Sequence, residues 1–257
     1  MPVEISCERA RKIYGKGAGA FEAVNSVSFS VEKGEFVSLL GPSGCGKSTL
    51  LMMIAGLESI SAGAIVAAGE PMAEPRPDIG IVFQDPTLLP WKTALQNVLF
   101  PIEMLHRNRA DYFDQAIKLL ELVGLGEAVD KRPGQLSGGM RQRVSLCRAL
   151  IADPSILLMD EPFSALDAIT RDDMNIVLLD LWERYRKTVL FVTHSIREAV
   201  LLSDRVLVMG RSPSRIIADV KVPFVRPRNF AIGESLEFNE LCSLLRDQIN
   251  AAREKRH

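Results

Sequence analysis

The chain has 257 residues, 47% of them hydrophobic, and a formal net charge of −1, which suits one large domain or a core with a smaller companion. The near-neutral balance excludes a globally basic nucleic-acid binder, so no nucleic-acid partner is expected, and no apolar run nears the roughly 18 residues of a membrane span. The first residues, "MPVEISCERARKIYG", carry no apolar signal-peptide core, and Cys7, Cys45, Cys147 and Cys242 form no CxxC pair, as expected of a reduced, cytosolic chain.

Tyr14 comes first, ahead of the first strand pair, and offers an aromatic ring for stacking on a purine. "VSFSV" (27–31) alternates apolar and polar residues, the pattern of a half-buried strand. "GEFVSLLG" (34–41) reads as a buried strand running into "GPSGCGKST" (41–49), and "KSTLLMMIAGL" continues as a helix. Strand, Gly-rich loop and helix in that order form a phosphate loop. Gly41, Gly44 and Gly46 let the backbone wrap closely, and successive N–H groups form an anion nest. Lys47 is placed to reach the β- and γ-phosphates, Ser48 to bind Mg²⁺ through its hydroxyl, and Thr49 to hold phosphate. Cys45 has two readings, a reactive thiol beside a helix N-terminus or a small residue tolerated in the loop.

"IGIVF" (79–83) is a further buried strand, followed by Gln84, whose neutral amide can touch Mg²⁺ or water. The next stretch, "DPTLLPWKTALQNVLF" (85–100), carries Leu88, Leu89 and Trp91 around Pro86 and Pro90; these either fold back onto the helical subdomain or, the reading favoured by Gln84 just upstream, expose an apolar patch for a partner. The texture then turns helical. Phe113, Ala116, Ile117, Leu120 and Val123 recur at helical spacing, as do Met140, Val144, Cys147 and Ile151. In "LSGGMRQR" (136–143), a Ser and two glycines precede a helix start, which is a second place for an anion. One nucleotide needs one phosphate cradle, so this second one needs an explanation.

"ILLMDEP" (156–162) is a buried strand ending in two acids. Asp160 suits a magnesium-bound water, and Glu161 suits a general base that polarises the attacking water. Met174, Val177, Leu178, Leu181 and Tyr185 mark an amphipathic helix. "TVLFVT" (188–193) is a strand ending at His194, at the edge where α/β proteins place ligand groups. "RVLVM" (205–209) is another buried strand; "PFVRPR" (223–228) breaks regular structure, and Leu241, Leu244, Leu245 and Ile249 predict a C-terminal helix. Continuous apolar runs of this kind are those of parallel strands buried on both faces.

The order of phosphate loop, Gln after a strand, LSGG, strand with Asp-Glu, "SALD" (164–167) and strand with His resembles the nucleotide-binding subunit of ABC transporters, from about Tyr14 to Met209. The resemblance implies an α/β fold, a P-loop NTPase core of ABC ATPase type with an inserted helical subdomain and a small antiparallel β element. Residues 1–222 would form the ATPase domain, with its core at about 1–87 and 153–222 and the helical subdomain at about 88–152; 223–257 would be a tail carrying the amphipathic helix. It implies ATP and Mg²⁺ as cofactors, the ion held by Ser48, Gln84 and, through water, Asp160. The cradle is Gly41, Pro42, Ser43, Gly44, Cys45, Gly46, Lys47, Ser48 and Thr49, and Lys47, Gln84, Glu161 and His194 form the catalytic set.

Tyr14 matches the adenine-stacking aromatic, Gln84 the Q-loop glutamine, and His194 the switch histidine. The resemblance also accounts for the second cradle: in a head-to-tail homodimer, Ser137, Gly138 and Gly139 close over the γ-phosphate held by the partner copy. It implies integral-membrane permease subunits as partners, a substrate-binding protein indirectly, and a peripheral place on the cytoplasmic face of the cell membrane. "VFQDPTLLPW" (82–91) and "VPFVRPR" (222–228) resemble importers of nitrate, sulfonate and taurine, and so imply a small anion or an organosulfur or nitrogen compound as cargo. The alternative is a soluble ABC ATPase of another class, such as cluster assembly. Two departures stand out. Ser195 follows His194 where Asp is usual, and is expected to weaken the tether of the switch loop; Ile169 replaces a common Leu.

Overall fold

The computed structural model describes residues 2–211 and 213–254. In chain order it has β1 (Val3–Tyr14), β2 (Phe21–Glu32), β3 (Phe36–Leu40), α1 (Lys47–Ile54), β4 (Ala62–Ala67), β5 (Glu70–Pro71) and β6 (Ile79–Val82). Then come α2 (Ala94–Met104), α3 (Phe113–Leu122), α4 (Gly138–Leu150), β7 (Ile156–Asp160), α5 (Ala168–Tyr185), β8 (Thr188–Thr193), α6 (Ile196–Leu202), β9 (Arg205–Met209), β10 (Ile216–Lys221) and α7 (Leu236–Glu254).

Two sheets result. One is antiparallel, in the order β2-β1-β4-β5; the other is ordered β10-β9-β3-β8-β7-β6. In the second, every pairing from β9 to β6 is parallel, and β10 is an antiparallel edge. Tyr14 is the last residue of β1, paired with Phe21 of β2, so it lies within the first strand pair rather than ahead of it.

The strands β3, β7 and β8 are buried throughout, because each face of their sheet is covered. Side chains alternate between two cores with the period of two that a pleat dictates. Val37, Leu39, Ile156, Leu158, Leu190 and Val192 meet α1 and the antiparallel sheet. Phe36, Leu40, Leu157, Met159, Val189 and Phe191 face the other way, toward α4, α5 and α6. Each such fully buried side chain contributes about 2 kcal/mol of transfer free energy. The parallel strands therefore point their carboxyl ends at one rim, where α/β folds hold ligands. The helices α2, α3 and α4 pack on one another, and α4 also rests on β6.

The segment after Gln84 divides its apolar residues. Leu88 packs against the core, Leu89 is half-buried, and Trp91 stands out, 66% exposed.

Candidate active site

β3 ends at Leu40 and the chain turns at once into the loop before α1. Gly46 caps that helix at φ +98°, and a Cβ there would come within 2.7 Å of Ala23 O and 2.8 Å of Ser214 Oγ, so only glycine fits. Lys47 opens α1 and is almost wholly buried; its Nζ donates to the carbonyls of Gly41 and Pro42, both at 3.0 Å. The same Nζ lies 3.2 Å from Glu161 Oε1. Glu161 Oε2 in turn lies 2.7 Å from His194 Nδ1. A single carboxylate thus joins the phosphate-loop lysine, the end of β7 and the end of β8.

Glu161 sits at φ +42°, a left-handed conformation that costs a non-glycine residue on the order of 1 kcal/mol or more. Its N–H donates to Val192 O at 2.9 Å, and its own carbonyl accepts from Ser164 Oγ at 2.9 Å. These bonds hold the backbone in the conformation that aims the carboxylate at Lys47. Asp160 beside it accepts from Ser48 Oγ at 2.8 Å. Burial pushes the Asp160 carboxyl above the usual carboxylate range, against the opposing pull of the Ser48 hydrogen bond. A buried carboxylate with a hydroxyl next to it is a donor set that favours a hard cation.

Tyr14, Ser43, Gly44, Gly46, Lys47, Ser48, Thr49, Gln84 and Glu161 line one open cleft of about 390 Å³. Phe21 and Ala23 line it too, and the sequence reading missed both. Phe21 is 55% exposed and stands across the ladder from Tyr14, and that pairing is what places it in the cleft. Lys12 Nζ rests 4.9 Å from the centre of the Tyr14 ring. Asp160 and His194 join the cleft through Ser48 and Glu161. Pro42 and Cys45 line a neighbouring hollow. The Cys45 thiol is buried, and burial raises its pKa, so it is the small loop residue and not a reactive thiolate.

Ser137, Gly138 and Gly139 do not line the cleft of their own chain. Ser137 caps α4, its Oγ accepting from Met140 N at 3.2 Å. Gly139 has a packing reason of its own, since a Cβ would lie 2.4 Å from Thr170 Cγ2. α4 is also tied to the segment around Gln84: Gln142 Nε2 donates to Phe83 O at 3.1 Å, and Arg148 donates to the carbonyls of Pro86 and Thr87 at 2.7 and 3.0 Å.

Ser195 keeps hydrogen bonds of its own in the segment after His194. Its Oγ caps α6 by accepting from Glu198 N at 3.3 Å, and its N–H donates to Thr193 Oγ1 at 2.9 Å. Serine and aspartate are comparable N-caps. Thr193 Oγ1 donates onward to Glu198 at 2.6 Å, and burial raises the pKa of that carboxyl. Ile169 is exposed on the first turn of α5.

Known proteins share this architecture. The family model described as ABC transporter matches residues 24–164. An uncharacterized ABC transporter ATP-binding protein of Methanocaldococcus jannaschii is 43% identical over 250 residues, which covers 97% of this chain and 94% of that protein. The nitrate import ATP-binding protein of Synechococcus elongatus is 45% identical over 220 residues, covering 84% of this chain and 80% of its own. The taurine import ATP-binding protein of Burkholderia pseudomallei is 44% identical over 233 residues, with 91% and 89% covered. Among solved structures, a dimeric ATP-binding cassette in a post-hydrolysis state with ADP and phosphate superposes with a TM-score of 0.75 at 32% identity, covering 86% of this chain and all of that one.

Proposed function

The chain belongs to the ABC transporter ATP-binding family, and we propose that it hydrolyses ATP to energise a membrane importer of a small anion or a small organosulfur or nitrogen compound. The observation that carries the catalytic part is Glu161, held between Lys47 Nζ and His194 Nδ1. The phosphates enter the loop of residues 41–49, and Lys47 exchanges the carbonyls of Gly41 and Pro42 for phosphate oxygens. That exchange draws the ammonium away from Glu161. The carboxylate is then free to take a proton from the attacking water, while His194 holds its other oxygen. The base is therefore uncovered only when nucleotide is present.

Ser48, Gln84 and Asp160, the last through water, would hold Mg²⁺. Among the described residues no three His, Cys, Asp or Glu side chains form a metal cluster, and a hydroxyl, an amide and one carboxylate suit an ion that arrives with phosphates and keeps its waters. When bound, the ion neutralises charge on the β- and γ-phosphate oxygens.

Tyr14 and Phe21 form the wall for adenine. Tyr14→Ala should weaken ATP binding about tenfold, the scale of one lost base–aromatic stack, with turnover at saturating ATP preserved. A fluorescent-nucleotide titration measures this, and unchanged affinity would remove Tyr14 from the site.

No helix among the described residues is long and apolar enough to cross a membrane, and we assign the translocation path to permease subunits. We place their docking surface beside Gln84. A groove of about 440 Å³ runs between the end of β6 and α2, lined by Phe83, Thr87, Phe100, Met104, Leu105 and Arg148 among others. Met104 lines it while 58% exposed, and Trp91, 66% exposed, precedes Lys92, whose Nζ lies 5.6 Å over the ring of Phe100 in the groove wall. Arg148 and Gln142 tie this segment to the helix that starts at Ser137. A helix seated there would feel Gln84 shift as the γ-phosphate comes and goes. On this reading the protein is a peripheral subunit on the cytoplasmic face of the membrane, served indirectly by a substrate-binding protein. Trp91→Asp and Met104→Asp should leave basal ATPase activity intact, since both side chains already face water. They should abolish co-purification with the permease and uptake in reconstituted vesicles. A folded variant that assembles and drives uptake normally would rule the surface out.

A further inference from the structure

α6 is a helix of seven residues that starts two positions after His194. Both of its ends are held by the segment beyond β10. At the carboxyl end, Arg228 Nη1 donates to the carbonyls of Val200, Leu201 and Ser203 at 3.3, 3.1 and 2.7 Å, and Nη2 donates to Phe224 O at 2.9 Å. Arg226 takes the remaining carbonyl, Leu202 O, at 2.5 Å, donates to Asp204 Oδ1 at 2.6 Å, and stacks 3.9 Å over Trp182. Near the amino end, Arg197 reaches outward to Gly233 O at 2.8 Å and Asn239 Oδ1 at 3.3 Å.

The last carbonyls of a helix have no partner within it, and cations there also meet the negative end of its dipole. In α6 these places are filled by Arg226 and Arg228. The Arg228 side chain is only 1% exposed, and burial pulls its pKa down to about 10. A buried cation of this kind persists because every one of these carbonyls satisfies it.

We propose that residues 223–239 are a strap that sets the position of α6, and that Arg228 is a positioning residue for ATP hydrolysis that acts through His194. The proposal rests on the reading of Glu161 and His194 given above. Two observations separate this role from general support of the fold. The segment is anchored without Arg228, because Phe238, Cys242 and Leu245 are buried in the core and Phe224 stacks on Phe238 at 6.0 Å. The seam between α5, α6 and the strap is not filled. A cavity of about 140 Å³ lies in it, lined by Arg171, Asn175, Ser195, Arg197, Glu198 and Phe238 among others. Asn175 Oδ1, buried there, has no hydrogen-bond partner among the described residues. The helix has room to shift once its ends are released, and the 2.7 Å contact of His194 with Glu161 would go with it.

The test is a double-mutant cycle on the intact protein, with kcat and KM for ATP as readouts. Arg228→Met should lower kcat about tenfold with KM within about twofold, the signature of a misplaced catalytic group rather than a lost binding site. Arg228→Lys, which keeps a cation near the same carbonyls, should recover part of the loss. In a His194→Ala chain, Arg228→Met should cost less than about twofold more, because coupled sites are not additive. An equal loss in both backgrounds, or no loss in either, would overturn the strap. Should Arg228→Met fail to fold, Arg197→Ala, an exposed substitution that cuts the other tie, decides by the same cycle. His194→Ala with wild-type turnover would overturn instead the reading of the site on which the strap rests.

Discussion

Glu161→Gln should lower ATP turnover by at least about 100-fold while ATP still binds, and the ATP-bound chains should accumulate as a dimer of doubled mass in light scattering. The substitution keeps the shape of the side chain and removes its charge and its capacity to accept a proton, so the ion pair with Lys47 is lost as well. Lys47 retains the carbonyls of Gly41 and Pro42, so it is not left as an unpaired buried charge. The backbone bonds from Glu161 N to Val192 O and from Ser164 to Glu161 O are untouched, and the left-handed turn should hold. The phosphate loop is intact and the γ-phosphate stays in place, which is what keeps two copies closed. Near-normal hydrolysis by the folded variant would take the general base away from Glu161.

Much of this site is legible in the sequence, and the reason is chemical. β3, β7, β8 and β9 are covered on both faces, so their runs are continuously apolar and easy to read. The residues proposed to contact phosphate or activate water follow those runs, where α/β folds place ligand groups. What escaped was less regular. The alternation in β1 is broken by register shifts around Ala10, with Arg9 at φ +48°. β4, "AGAIVA", is built from small residues with little periodicity, and β10 is nowhere fully buried. Phe21 could be placed in the cleft only by its partner Tyr14 across the ladder. "PFVRPR" reads as a break in structure, and it is one, but nothing local shows that Arg226 and Arg228 reach back to the end of α6. Long-range hydrogen bonds of that kind leave no period in a sequence.

The second anion site gives the other large effect. Ser137→Arg should abolish hydrolysis without preventing ATP from binding the separate chain, because none of residues 137–139 lines the cleft that holds Lys47. In the free chain the Ser137 hydroxyl only caps α4, and losing that cap costs about 1 kcal/mol, which a melting curve registers without unfolding. A Cβ at Gly138 would meet only Leu166 Cδ2, at 3.6 Å, so the backbone is uncrowded on that side. Mixing tests that geometry directly. One population carries Ser137→Arg and the other Lys47→Ala, and both carry Glu161→Gln so that trapped nucleotide persists. Neither homodimer has an intact site. In the mixed dimer, Lys47 of the first chain faces Ser137 of the second, and one complete site forms beside one with both defects. The expected result is occluded ATP in the mixture alone, at about one per mixed dimer, a stoichiometry set by the single intact pairing. A self-contained site would need Lys47 and Ser137 intact in the same chain, and no such chain is present. Mixed dimers that hold no occluded ATP would therefore place Ser137 outside the partner's site and leave it as a helix cap.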